Sequence, residues 1–142
     1  MSALTDKEVA EKSAAAMWAN DDASKGLGMD LVEVDAGYAK MTMPITKSQT
    51  NGLDTCHGGF IFTLADSAFA FACNSRNQQT VAQHCSINFV APAFEGDVLC
   101  AEAKEVAVYG RSGIYDIRVT NQKNELIAEF RGNSRSIRGT HF

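Results

Sequence analysis

GGFIFTLADSAFAFACNS, residues 58–75, is the stretch whose reading decides the fold. The run is too long and too rich in alanine for one strand, and it is apolar nearly all round. A helix of that composition is expected to be buried on all sides. Its 18 residues make a rod of roughly 27 Å at 1.5 Å per residue. One ionisable residue, Asp66, sits in the middle of it.

Upstream, residues 5–20 read as a second helix. Thr5 and Glu8 form a T-x-x-E capping box, and Val9, Ala16 and Met17 fall on helical spacing. Asn20, Asp21 and Asp22 break that pattern, and a short turn to Gly26 and Gly28 follows. From residue 31 the period becomes two. Residues 31–34 and 38–45 are strand-like, with a hairpin turn at Asp35-Ala36-Gly37. Residues 46–57 are a polar connection with a turn signal at Asn51-Gly52.

Downstream of the apolar helix everything reads as strand. Val81, Cys85, Ile87 and Phe89 alternate with polar neighbours. Residues 98–108, 113–120 and 125–137 are three further strands, with a tight turn at 122–124. There is no internal repeat, linker or low-complexity tract. The order predicts one α+β domain over residues 1–142, a curved antiparallel sheet wrapped around one long central helix.

Bulk properties narrow the function classes. A chain of 142 residues, 45% hydrophobic, builds one small core with surface left over, which oligomers of such domains commonly cover. The net charge is −4 and no Lys/Arg block stands out, which argues against nucleic acid and anionic membranes as partners. No signal-peptide pattern or membrane-length apolar run occurs, so the expected location is cytoplasmic. The 4 cysteines contain no C-x-x-C pair, which leaves free thiols rather than a metal site or a disulfide framework.

Asp66 is the first candidate for chemistry. A carboxylate on an apolar helix is costly to bury without a partner. A purely structural role, bonded to a turn or at an interface edge, is the simpler alternative. Its neighbours point elsewhere. Gly58 and Gly59 fall in the helix's first turn, where backbone N–H groups lack intrahelical partners and the dipole is positive. Glycine lets a ligand approach such donors, so this is a candidate oxyanion hole. Asp66 lies two turns further on, roughly 11 Å along the axis, too far for one carbonyl to touch both groups. Either the substrate lies along the helix, or two symmetry-related helices each supply half a site.

His57 could simply cap the helix. Cys56 and His57 are adjacent and rarely face each other, so a thiol nucleophile is discounted. His84 and His141 have no evident partner. No serine-hydrolase elbow, zinc motif, phosphate-binding loop or dinucleotide fingerprint occurs.

Taken as a pattern, CHGGFIFTLADSAFAFACNS at 56–75 resembles the central-helix motif of hot-dog thioesterases, most closely the phenylacetate-degradation (PaaI) family. The resemblance extends to MWANDDASKGLGM at 17–29, NGLDTCHGG at 51–59, NFVAPAFEGDVL at 88–99 and YDIRVTNQ at 115–122. It implies a hot-dog fold and hydrolysis of an acyl-CoA substrate, of phenylacetyl-CoA or ring-hydroxylated type, with no cofactor and no metal. It also implies a homodimer with a continuous sheet and shared active sites, usually paired again as a homotetramer. Carried onto this chain, Asp66 would be nucleophile or general base. Gly58, with Gly59 beside it, would polarise the thioester carbonyl from the partner subunit. Asn20 and His57 would orient the thioester and the attacking water. Coenzyme A contacts would fall along residues 92–97, near Arg111 and near Arg135. Two other readings share such a fold: an enoyl-CoA hydratase or dehydratase, and a non-catalytic acyl-CoA binding protein.

Overall fold

In the computed structural model, which describes residues 3–142, the central helix α3 spans Gly58–Cys73, and all six strands pack against it. Met1 and Ser2, included in the single-domain expectation, lie outside the described residues. Ahead of α3 come α1 (Asp6–Ala19), α2 (Asp22–Gly26), β1 (Asp30–Asp35) and β2 (Tyr38–Pro44). After it come β3 (Thr80–Phe89), β4 (Val98–Tyr109), β5 (Ser112–Thr120) and β6 (Leu126–Ser136). The strands form one antiparallel sheet in the order β1-β2-β4-β5-β6-β3, so β1 and β3 are its edges.

The capping box forms as the sequence predicts. Thr5 Oγ1 accepts from the Glu8 N–H at 3.1 Å, and Glu8 Oε1 accepts from the Thr5 N–H at 3.0 Å. The β1–β2 turn needs its glycine: Gly37 has φ 68°, and a Cβ there would lie 2.9 Å from the Glu105 Cβ. The stretch expected as a plain turn after Asn20 instead holds the five-residue helix α2. Its cap comes from Asp21, whose side chain accepts from the Ser24 N–H at 2.9 Å.

Alternation decides which face of each strand meets the helix. Ala39, Met41 and Met43 of β2, Leu99, Ala101 and Ala103 of β4, and Ile117 and Val119 of β5 are fully buried. Many of these residues are small, and α3 answers with Ala65, Ala68 and Ala72, so rod and sheet lie close together. The opposite face carries charge across strands in register: Lys40 beside Glu102, Glu102 beside Arg118, Arg118 beside Glu129. Exposed pairs of this kind add little stability, but they keep that face of the sheet in water.

The expectation that α3 is buried on all sides is corrected. Ile61, Leu64, Ala65, Ala68, Phe69, Phe71 and Ala72 are buried, but the stripe of Gly59, Phe62, Thr63, Asp66, Ala70 and Cys73 is not. The reason is topological: the sheet ends at β3, and within one chain nothing lies beyond that strand. Val81 and Phe89 on it are about half exposed, at 46% and 54%.

Candidate active site

The start of α3 is held from both sides by the connection that precedes it. The His57 N–H donates to the Gln49 carbonyl at 2.8 Å, and the Cys56 N–H to the Ala93 carbonyl at 2.7 Å. Asn51 organises the intervening turn, its Oδ1 accepting from the N–H groups of Leu53 and Thr55. Asp54 takes φ 60° there.

The two glycines of the first turn prove unlike. The Gly59 N–H donates to Nδ1 of His57 at 2.9 Å, so the helix caps itself with the imidazole, as one sequence reading allowed. The expectation of two free donors is therefore corrected: Gly59 is occupied. The Gly58 N–H has no hydrogen-bond partner among the described residues. A ring nitrogen that accepts carries no proton, so the neutral imidazole has its N–H at Nε2. A side chain at Gly58 would press on the Phe89 ring, since a Cβ there would lie 3.0 Å from its Cζ. Beside it opens a cavity of about 390 Å³, lined by Thr55, Cys56, Gly58, Ile61, Phe89, Val90, Ala91 and Pro92.

Asp66 sits mid-helix, half buried, and makes no hydrogen bond or ion pair with any described residue. Burial alone pushes its carboxyl above the ordinary value of 3.8. Its charge reaches the edge strand. Burial first, and then the Asp66 carboxylate, raise the Cys85 thiol on β3. Burial also holds the Cys73 thiol up at about 12, with Asp66 adding to it. Asp66 therefore faces the open β3 side of the molecule. It stands about 12 Å along one rod from Gly58, so the two cannot meet a single carbonyl within one chain.

Asn20 is exposed at the C-cap of α1, and its side chain has no hydrogen bond among the described residues. Arg111 lies in the β4–β5 turn, and Arg135 on β6 stands opposite Ser112 and Val81. Both are exposed. Of the chain's six arginines, Arg76, Arg118 and Arg131 bind carboxylates, whereas Arg111, Arg135 and Arg138 form no ion pair among the described residues. A groove of about 570 Å³ runs past Arg111 and Arg138. Sequence reading missed Arg138, although its spacing of three from Arg135 was available. The arginines lie at the Thr80 end of β3 and Gly58 at the Phe89 end, so one chain keeps them apart.

Neither remaining histidine bonds Asp66 among the described residues. His84 is exposed on β3, and the His141 ring bonds Oδ1 of Asn74 at 2.9 Å. Cys56 is buried, with its thiol pushed up to about 11, chiefly by burial, and so is poorly suited to act as a nucleophile. All four cysteines are free, and no cluster of metal-ligating side chains occurs among the described residues. No helix among the described residues is long and apolar enough to cross a membrane.

An antiparallel sheet wraps one apolar helix that carries an unpartnered carboxylate and starts with a free amide, an arrangement that can take a thioester carbonyl. Residues 53–128 match the thioesterase superfamily, and the chain belongs to that family, with its hot-dog fold. It is 45% identical to the acyl-coenzyme A thioesterase PaaI of Escherichia coli (strain K12), over 91% of this chain and 92% of that one. The solved structure of the E. coli PaaI protein, from the phenylacetic acid degradation operon, superposes with a TM-score of 0.94. It shares 43% identity and covers 96% of this chain and 99% of its own. A Streptococcus mutans UA159 protein solved with acetyl CoA shares 26% identity, with a TM-score of 0.75, covering 79% of this chain and 90% of its own.

Proposed function

We propose that the protein is an acyl-CoA thioesterase of phenylacetyl-CoA type, working as a homodimer whose two sites are each built from both chains. The observation that carries the reading is the setting of Asp66: half buried, unpartnered, and turned toward a strand edge that nothing covers. Likeness to the E. coli thioesterase and to a protein solved with acetyl CoA supports the substrate class.

Geometry supports the shared site. An uncovered edge of ten residues is a template for another strand. If β3 pairs antiparallel with β3 of a second copy, the Phe89 end of one meets the Val81 end of the other. That arrangement brings Gly58 of one chain toward Asp66 and the arginines of its partner, which one chain alone cannot do. The minimum assembly is thus a homodimer, and a homotetramer is a pair of these.

The chemistry then runs as follows. The thioester carbonyl oxygen accepts from the Gly58 N–H, which stabilises the oxyanion that forms. The Asp66 carboxylate either takes a proton from the attacking water or attacks the carbonyl carbon itself. The carbon–sulfur bond breaks and the sulfur leaves as CoA thiolate, which takes up a proton. On the general-base route the acid is then released; on the nucleophilic route water first hydrolyses the Asp66 anhydride, returning the carboxylate and the acid. Either route needs Asp66 ionised. Arg111 and Arg135 hold the phosphates of the CoA moiety, Asn20 and His57 orient thioester and water, and the four free thiols fit a cytoplasmic setting.

Thiol release from a panel of acyl-CoA esters tests the substrate. Aromatic acetyl-CoA thioesters should turn over faster than long straight-chain ones. Palmitoyl-CoA as the best substrate by kcat/KM would overturn the phenylacetyl assignment, and hydration of an enoyl-CoA without thiol release would overturn hydrolysis.

A further inference from the structure

Between the α1–α2 corner and α3 runs a short chain of oxygens. Asp21 accepts at Oδ1 from the Ser24 N–H, 2.9 Å away, and at Oδ2 from the Ser24 hydroxyl, 2.7 Å away. Ser24 is 1% exposed. A serine hydroxyl has one proton, and Ser24 gives its own to the carboxylate. The 3.0 Å contact between the Ser24 and Ser67 hydroxyl oxygens is therefore donated by Ser67. The chain runs one way, from Ser67 through Ser24 to Asp21.

What it joins is specific. Ser67 follows Asp66 directly, and Asp21 follows Asn20 directly. Among the described residues this is the only hydrogen bond between residues 20–28 and α3. Otherwise the corner rests on apolar packing, such as Trp18 against Phe71 with ring centroids 6.1 Å apart. Packing of that kind holds an element in place but fixes the direction of an exposed amide poorly.

We propose that Ser67 is a positioning residue for the hydrolysis, holding the Asn20 amide in register with the Asp66 carboxylate through Ser24 and Asp21. The inference rests on the thioesterase reading of Asn20 and Asp66. The relay resists displacement, because breaking the Ser67 contact takes a donor from the buried Ser24 oxygen while Ser24 stays bonded to Asp21.

Ser67→Ala tests it. Alanine is the best helix former, so α3 itself is not weakened. Turnover should fall roughly tenfold to a hundredfold, the scale expected for a small misplacement of an orienting group. Ser67→Thr, which keeps the hydroxyl, should recover most of that loss, and Ser24→Ala should reproduce it. The deciding measurement is a double-mutant cycle: Asn20→Ala should lower kcat much less in the Ser67→Ala background than in the parent. Losses that multiply independently would overturn the positioning role, as would parental turnover in Ser67→Ala. Asp66→Asn in the same assay separates the two levels. An inactive Asp66→Asn beside a normal Ser67→Ala removes only this inference, whereas an active Asp66→Asn removes the reading beneath it.

Discussion

His57 and Gly59 are bonded to each other: the imidazole Nδ1 accepts the glycine N–H at 2.9 Å, two residues along the same turn. The bond makes the ring the cap of α3 and leaves its Nε2–H for another partner. A Cβ at Gly59 would lie 3.0 Å from that same Nδ1 and would press on the ring.

Capping and chemistry at His57 should therefore separate. His57→Ala loses the cap and about 1 kcal/mol of stability, together with turnover. His57→Asn should regain the stability, since asparagine caps well, without regaining the rate. Thermal melts and kcat on the two variants check this.

Replacing Asp66 by Asn should lower kcat by on the order of 10²–10⁴, with KM nearly unchanged. Folding should survive, because a half-buried carboxylate with no partner is replaced by a neutral side chain of the same size. A folded Asp66→Asn protein with most of its thioesterase activity would return the residue to a structural role.

The pH dependence follows from the same burial. The folded chain holds the Asp66 proton more tightly than the unfolded chain, so between the ordinary value of 3.8 and the raised one stability falls as pH rises. At neutral pH, Asp66→Asn should be at least as stable as the parent, and the difference should vanish in acid. Activity has the opposite sign: kcat/KM should rise with pH through a limb lying above 3.8. Denaturant melts and rate profiles over the same pH range read both.

Shared sites predict rescue between two crippled chains. Gly58→Ala keeps the N–H but puts a Cβ beside it, against the Phe89 ring, and by obstructing that donor should cost up to about 10²-fold in kcat. Co-expressed in equal amount with Asp66→Asn, it should yield about one quarter of parental activity, because about half of randomly formed dimers are mixed and each mixed dimer has one intact site of two. No recovery in verified mixed dimers would place both groups in one chain's site.

Arg111→Ala and Arg135→Ala should each raise KM for CoA thioesters several-fold, with kcat little changed. Salt should weaken parental binding more than that of either variant. Thioesters of pantetheine, which lack the nucleotide phosphates, should not distinguish the variants from the parent.

The parts of this architecture legible in sequence were those carried by periodicity. The long apolar run with one carboxylate, the T-x-x-E cap and the alternating strands each have one reading, and each forms close to the expected residues. Hydropathy cannot tell a surface buried by its own sheet from one left for a second chain, so the open stripe through Phe62, Asp66 and Ala70 read as core. Gly58 and Gly59 looked equivalent because the difference lies in the ring orientation of His57. Helix α2 is five residues long and ends in glycine, and its cap from Asp21 outweighs a weak propensity. Spacing alone does not separate Arg138 from the other arginines; the ion pairs that the fold gives Arg76, Arg118 and Arg131 do.

The bare edge of β3 has a kinetic meaning. On the shared-site reading, a single folded chain carries its acid and its amide on one rigid rod and cannot bring them to the same carbonyl. Such a chain is inert by geometry rather than by misfolding. Catalysis then begins only with the meeting of two copies. At dilutions where the pair dissociates, the rate should grow with the square of protein concentration, and should become linear only once every chain has found a partner.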